Sequence, residues 1–257
     1  MMTFEIKRGN AIKSIYAYLI ISFLASSIIR VIVQSVCLSL NIDLTVTENV
    51  LTASSVINFI VYLVLFGALI FINKDELVTD IKTFFTHKPK LILIKILAGY
   101  GIFYVINAFS SILIQNIETY MNMFNSFFNK DLISSTADNQ TQIEAILKSD
   151  GFIFMFLSAG LIGPITEELV FRKAFFNMCR TKEMGIILSS LCFGLIHVVS
   201  SFGTYDLFST ILMTIPYVVS GIAFGIIYIK NDCDIVIPTI VHILSNIISM
   251  LGIIFLL

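Results

Sequence analysis

Charge is what this 257-residue chain has least of. Asp, Glu, Lys and Arg make up 13% of it, while 57% of its residues are hydrophobic. An ordinary soluble domain carries about 25% charged residues. A soluble fold of this length has too little interior to hide so much apolar surface, so the chain is expected to lie in lipid. Its net charge of −1 leaves no basic footprint of the kind nucleic acid requires, and no nucleic-acid partner is expected. The four cysteines, Cys37, Cys179, Cys192 and Cys233, show no CxxC spacing. They fall in or beside apolar stretches and read as small buried hydrophobes, not as a redox or metal motif. No internal repeat, low-complexity tract or soluble domain is visible.

Apolar runs are what the chain has in abundance. Seven stretches reach the roughly 20 residues that a membrane-crossing helix needs: 14–38, 50–72, 91–115, 151–178, 184–202, 207–229 and 234–257. They lack the strict alternation of barrel strands. The expected fold class is therefore all-α, a polytopic membrane helical bundle of about seven transmembrane helices, within a range of six to eight. The N-terminal run is too long for a signal-peptide core and has no clear small-x-small cleavage site, so it reads as a retained first span. Thirteen of the sixteen Lys and Arg fall on one side of this arrangement. They comprise Lys7 to Lys13, the basic residues from Lys74 to Lys95, those from Arg172 to Lys182, and Lys230. Lys130 and Lys148 fall on the other side, with Arg30 near the outer end of the first span, where it can snorkel to the interface. By the positive-inside rule the N-terminus is cytoplasmic and the C-terminus outside. Lysine outnumbers arginine, as in AT-rich genomes, and this fits a multi-pass protein of a bacterial plasma membrane. Between spans, "NKDELVTDIKTFFTHKPK" (73–90) places Leu77, Ile81, Phe84 and Phe85 on one helical face. It reads as a short cytoplasmic helix lying on the membrane, with His87 in a solvated loop. The outer connection, about 116–150, is polar in its second half and ends in the amphipathic piece "IEAILK".

Against this background a few polar residues stand in the wrong solvent. A charge at the bilayer centre costs about 2.5–3.5 kcal/mol on insertion scales, so such residues need a partner, a wet cavity or a function. Three clusters meet this description: "EELVFR" (Glu167, Glu168, Arg172), "FGLIH" (Phe193, His197) and "HILSN" (His242, Asn246). Two of the three histidines are thus inside spans. Glu168 and Arg172 are four apart, share a helix face and can neutralise each other. Glu167 lies about 100° further round and can face a cavity. His242 and Asn246 also share a face, and Phe193 lies one turn from His197. At 1.5 Å per residue, Glu167 sits about 16 Å in from Met178, His197 about 20 Å from Met184, and His242 and Asn246 about 12 and 18 Å from Asp234. Residues of three helices are therefore expected in one slab below the cytoplasmic interface. Gly163 and Pro164 precede the carboxylates, where proline is expected to kink the helix and open room for water beside Glu167. A satisfied ion pair, or histidines that only bond helix to helix, would account for each cluster taken singly.

The three motifs in this order resemble those of the CPBP family (EExxxR, FxxxH, HxxxN or D). That family joins CAAX prenyl proteases with bacterial Abi-type bacteriocin-processing and self-immunity proteins. The likeness covers residues from about 150 to 250. It implies a division into an N-terminal transmembrane region (1–150, three spans plus amphipathic connections) and a catalytic core (151–257, four spans). The resemblance also implies an intramembrane endopeptidase acting on a membrane-associated peptide or lipidated protein, with its site opening towards the cytoplasm. On that reading Glu167 is the general base, His197 its partner in activating water, and His242 and Asn246 the oxyanion donors. Glu168 and Arg172 shape and neutralise the site. The chemistry agrees, since peptide hydrolysis needs an activated water and donors where negative charge develops. No cofactor is expected, although zinc held by Glu167, His197 and His242 is the mechanistic rival. Against zinc stand the absence of HExxH and the poor ligand quality of Asn. Other classes stay open: a non-catalytic immunity or scaffold protein, and a proton-coupled carrier, for which paired broken helices are not visible.

Overall fold

Long apolar runs with no internal breaker become long helices. The computed structural model describes residues 2–127, 134–136 and 138–256. Helix α1 (Met2–Ile20) continues through a π-helical turn (Ile21–Ala25) into α2 (Ser26–Ser39). Helix α3 (Thr47–Thr86) has 40 residues and α4 (Pro89–Phe127) has 39. Each is about 60 Å long, twice the hydrocarbon thickness of a bilayer. The short α5 (Asp138–Leu147) comes next. The fourth crossing is built from α6 (Phe152–Leu157), α7 (Gly163–Glu168) and α8 (Phe175–Met178), joined by π turns at Ser158–Ile162 and Leu169–Ala174. Helices α9 (Lys182–His197), α10 (Leu207–Lys230) and α11 (Val236–Leu256) complete the bundle. The chain is an integral, multi-pass membrane protein with an all-helical bundle, and no strand occurs among the described residues.

Several expected boundaries move. Among the described residues six helical stretches, within the expected range of six to eight, are long and apolar enough to cross a membrane. The expected span at 184–202 contributes only α9, with 16 residues. That is about 24 Å, short of a 30 Å hydrocarbon core. The chain then leaves helical geometry except for a 3₁₀ turn at Val199–Ser201. It re-enters at α10, where the Asp206 carboxylate accepts the N–H groups of Phe208 and Ser209, satisfying orphan donors of the first turn. The separate membrane-surface helix expected at 73–90 does not exist. Residues 73–86 continue α3 because no breaker interrupts them, and the polar residues that suggested an end are internally partnered. Asn73 donates to the Ser14 hydroxyl and the Leu69 carbonyl. Lys173, expected as a basic flank, is buried and pairs with Asp80 and, at 3.8 Å, with Glu76 of the α3 extension. His87 caps the end of α3 and is half-buried, not free in solvent as expected, its Nε2 3.3 Å from Lys95 Nζ. Residues 116–127 of the expected outer connection extend α4, "IEAIL" lies in α5, and Lys130 lies outside the described residues.

Close packing of α9 on α10 sets the geometry of the core. A methyl group on Gly194 would sit 2.4 Å from Val218, and one on Gly221 only 2.9 Å from the Ser190 backbone. Small residues here let the two backbones approach, as between helices in lipid generally. The ends of the bundle differ. Lys13, Lys74, Arg180, Lys182 and Lys230 mark one end. At the other, α5 packs beside the start of α6 and the end of α11 through Ile146, Leu147, Met155 and Met250. An apolar plug including Leu65, Leu69, Leu169, Phe171 and Phe193 lies between the centre and the lysine-rich end. The cysteines are free; Cys37 is buried and the other three half-buried.

Candidate active site

The anticipated kink at Pro164 takes the form of a π turn with a specific consequence. Gly163 N–H reaches back five residues to the Ser158 carbonyl. The next carbonyl, that of Ala159, would look for the N–H of residue 164, which proline lacks. Asn246 on α11 fills the gap, its Nδ2 donating to Ala159 O at 2.9 Å. A local backbone defect thus becomes a fixed link between the fourth crossing and α11. It also commits one hydrogen of the Asn246 amide, which the sequence reading had reserved for an oxyanion.

Glu167 and Glu168 end α7, and both are buried. Glu168 Oε2 lies 3.1 Å from Arg172 Nε, both side chains having no exposure. The pair expected from the spacing is therefore made. It is an ion contact without aligned hydrogen-bond geometry, and Arg172 Nη1 and Nη2 find no protein acceptor. The guanidinium is held instead between the rings of Phe193 and Phe224, at 5.4 and 5.6 Å, where ring faces attract a cation. Glu168 also does something the spacing did not announce. Its Oε1 accepts from His242 Nδ1 at 3.0 Å.

Both intramembrane histidines are oriented through Nδ1. His197 Nδ1 lies 2.7 Å from the Phe193 carbonyl. A carbonyl only accepts, so Nδ1 carries the proton and Nε2 points away. The Nε2 atoms of His197 and His242 face Glu167 at 4.0 and 3.7 Å. Aromatic rings hold both imidazoles: Tyr217 stacks on His197 at 4.6 Å and Phe224 on His242 at 4.2 Å. Phe193 packs beside His197 as anticipated, at 4.4 Å. Glu167, Glu168, Arg172, His197 and His242 are thus linked by these contacts, and Asn246 lines the same cavity as Glu167 and the two histidines. Among the described residues, no three His, Cys, Asp or Glu side chains are arranged to hold one metal ion.

The stacking rings of Tyr217 and Phe224 were missed, and so was one hydrogen-bond partner. Tyr62 of α3 donates its hydroxyl to Glu167 Oε1 at 3.2 Å. The available signal was weak: Asn58 and Tyr62 stand four apart, one helical turn, in an otherwise apolar run, and both line the cavity above Glu167.

That cavity has a volume of about 550 Å³. Tyr18, Leu65, Glu167, Phe193, Phe224 and His242 are among its lining residues. Arg30 is exposed and also lines the cavity.

Residues 149–248, which carry all three motifs, match the family model of Type II CAAX prenyl endopeptidases, described as Rce1-like. This segment belongs to the CPBP family. The CPBP segment covers the fourth crossing and α9 to α11, whereas Tyr62 comes from the part of the chain before it. A protein of Mycoplasma capricolum subsp. capricolum, described as uncharacterized, is 30% identical over 173 residues, which is 67% of this chain and 47% of that protein. The chain thus spans about half the length of the curated relative it matches. No solved structure matches it.

Proposed function

We propose that the chain is an intramembrane endopeptidase that cuts a membrane-associated or lipidated peptide with water activated by Glu167. The observation that carries this reading is the pair of gaps of 3.7 and 4.0 Å between Glu167 and the two Nε2 atoms. They are too long for direct hydrogen bonds and suit a bridging water. Glu167 Oε1 and the Nε2 lone pair of a neutral His197 are both acceptors. A water donating one hydrogen to each has its own lone pair directed outward, at a peptide carbonyl.

The step balances within these groups. The water oxygen bonds to the carbonyl carbon as its proton passes to Glu167. The carbonyl oxygen takes the negative charge and receives a hydrogen bond from the second Asn246 amide hydrogen, joined by His242 Nε2–H when that ring is the imidazolium with a proton on each nitrogen. Collapse breaks the C–N bond, and Glu167 returns its proton to the leaving nitrogen. Glu168 and Arg172 act behind His242, holding its Nδ1 and balancing the local charge.

The test compares membranes of cells carrying the wild-type chain with those carrying Glu167→Ala. The proposal expects a precursor that stays uncut in the variant while the protein inserts normally. Full processing by Glu167→Ala or by His197→Ala rejects the assignment. The metal-free form of the mechanism expects purified enzyme to keep its activity under saturating chelator. Loss of activity that zinc restores would transfer the water to a metal.

A further inference from the structure

The cavity around Glu167 holds a second charge that the proposed reaction does not use. Among its lining residues the Asp, Glu, Lys and Arg side chains are Glu167 and Arg30. Arg30, on α2, is exposed. Its guanidinium stays charged and carries five N–H donors. Among the described residues Arg30 is in no ion pair and no hydrogen bond. Ser22 and Ser26 stand between it and Tyr18 on one helix face, and Ser26 is spent on the Ser22 carbonyl at 2.6 Å. Arg172 shows the contrast, its charge met by Glu168 and two rings.

Helices α1 and α2 run antiparallel to α3, and their register places a second free polar group beside Arg30. Ser14 accepts from Asn73 at 2.9 Å. Counting away from that contact along both helices sets Arg30 opposite residue 57, or 58 once the π turn at Ile21–Ala25 is included. Asn58 lines the same cavity, and among the described residues its side-chain amide has no hydrogen-bond partner. An amide offers a donor and an acceptor, which is what a peptide backbone needs. Tyr62, one turn from Asn58, reaches Glu167. Asn58 is about 6 Å from Tyr62 along its helix, and Arg30 about 18 Å from Tyr18 along its own. An extended peptide rising about 3.3 Å per residue covers that interval in about two to five residues.

The two charges act oppositely on a bound carboxylate. Glu167 repels it, and Arg30 can hold it through paired N–H groups. One end of the peptide is thereby fixed and the reacting end kept clear of a competing anion. We propose that Arg30 is a specificity-determining residue, receiving a carboxylate of the bound peptide two to five residues from the bond cut, with the Asn58 amide holding the backbone beside it. That the ligand is a substrate rests on the proteolytic reading; the carboxylate site itself does not.

Binding to the purified full chain tests this without turnover, with Glu167→Gln present throughout so that no probe is cut. The probes are N-terminally dansylated, C-terminally amidated heptapeptides of Leu and Ala, with Glu or Gln placed at each position in turn. One further neutral probe keeps a free C-terminal carboxylate. At one or two adjacent positions Glu is expected to bind about 10–100-fold more tightly than Gln. Arg30→Ala is expected to erase the difference, Arg30→Lys to keep most of it, and Arg30→Glu to reverse it in favour of Lys. Tighter binding of the free-acid probe that Arg30→Ala abolishes assigns the carboxylate to a peptide terminus; a Glu preference without it assigns a side chain. Equal binding of all probes, or a preference that survives Arg30→Ala, overturns the proposal. A preference seen in neutral detergent but lost in nanodiscs of phosphatidylglycerol gives Arg30 to lipid phosphate and overturns it too. An unchanged melting temperature in Arg30→Ala, expected of an exposed side chain with no partner, separates lost recognition from lost folding. A chain with the Arg30-dependent preference that cuts nothing when Glu167 is intact refutes the peptidase alone. A chain that cuts its precursor but shows no such preference refutes the carboxylate site alone.

Discussion

Glu168 holds His242 by its Nδ1 at 3.0 Å, and this turns the other ring nitrogen towards Glu167 at 3.7 Å. The two adjacent glutamates are therefore divided in role by one imidazole between them. Removing the carboxylate as Glu168→Ala should lower kcat by about 10–100-fold, the usual cost of losing a partner that orients a catalytic ligand, with little change in KM. The check is a double-mutant cycle: Glu168→Ala with His242→Ala should be no slower than His242→Ala alone.

Arg172 has no exposure, one carboxylate partner and two aromatic rings around it. Arg172→Met leaves Glu168 buried and half-compensated, which should cost about 3–5 kcal/mol. Adding Glu168→Leu should recover part of that loss without recovering activity. Thermal unfolding in detergent measures the first effect, and turnover the second. Arg172→Lys should not rescue stability, because a lysine cannot lie flat between Phe193 and Phe224.

Tyr62→Phe keeps the ring and deletes one hydrogen bond to a carboxylate, an interaction worth about 1.5–3 kcal/mol. If the bond fixes the rotamer of Glu167, kcat should fall by roughly tenfold or more while KM and the melting temperature hold. Steady-state kinetics on the purified protein separates this from a packing role, which would lower the melting temperature first.

Pro164→Ala restores an N–H at the position where the Ala159 carbonyl lacks one. The helix should close on itself and release Asn246. Activity should drop by less than the roughly 10²–10³-fold expected for removing an oxyanion donor outright as Asn246→Ala. The double variant should match Asn246→Ala, and the single variant should melt no lower than wild type.

The parts of the site written at helical spacing were legible in the sequence. Glu168 with Arg172, Phe193 with His197, and the common depth of the three motifs all follow from 3.6 residues per turn and 1.5 Å per residue. What depends on backbone irregularity or long-range approach was not. Nothing in "SAGLIGP" says that its π turn gives the Ala159 carbonyl to Asn246. Tyr62 meets Glu167 across 105 residues of chain, a distance over which periodicity carries no information. Span lengths were read from hydropathy, which falls at Asn73 and Lys74, so α3 was cut short there. Its helix continues because Asn73, Glu76 and Asp80 find partners on neighbouring helices.

The central claim is that Glu167 takes a proton from the attacking water. The most direct measurement uses the precursor found uncut in Glu167→Ala membranes, incubated with purified enzyme in ¹⁸O-labelled water. The account predicts one ¹⁸O in the new C-terminal carboxyl group for the wild-type chain and no product for Glu167→Gln, which keeps the shape of the side chain without its basicity. Cleavage by Glu167→Gln at the wild-type rate would contradict it.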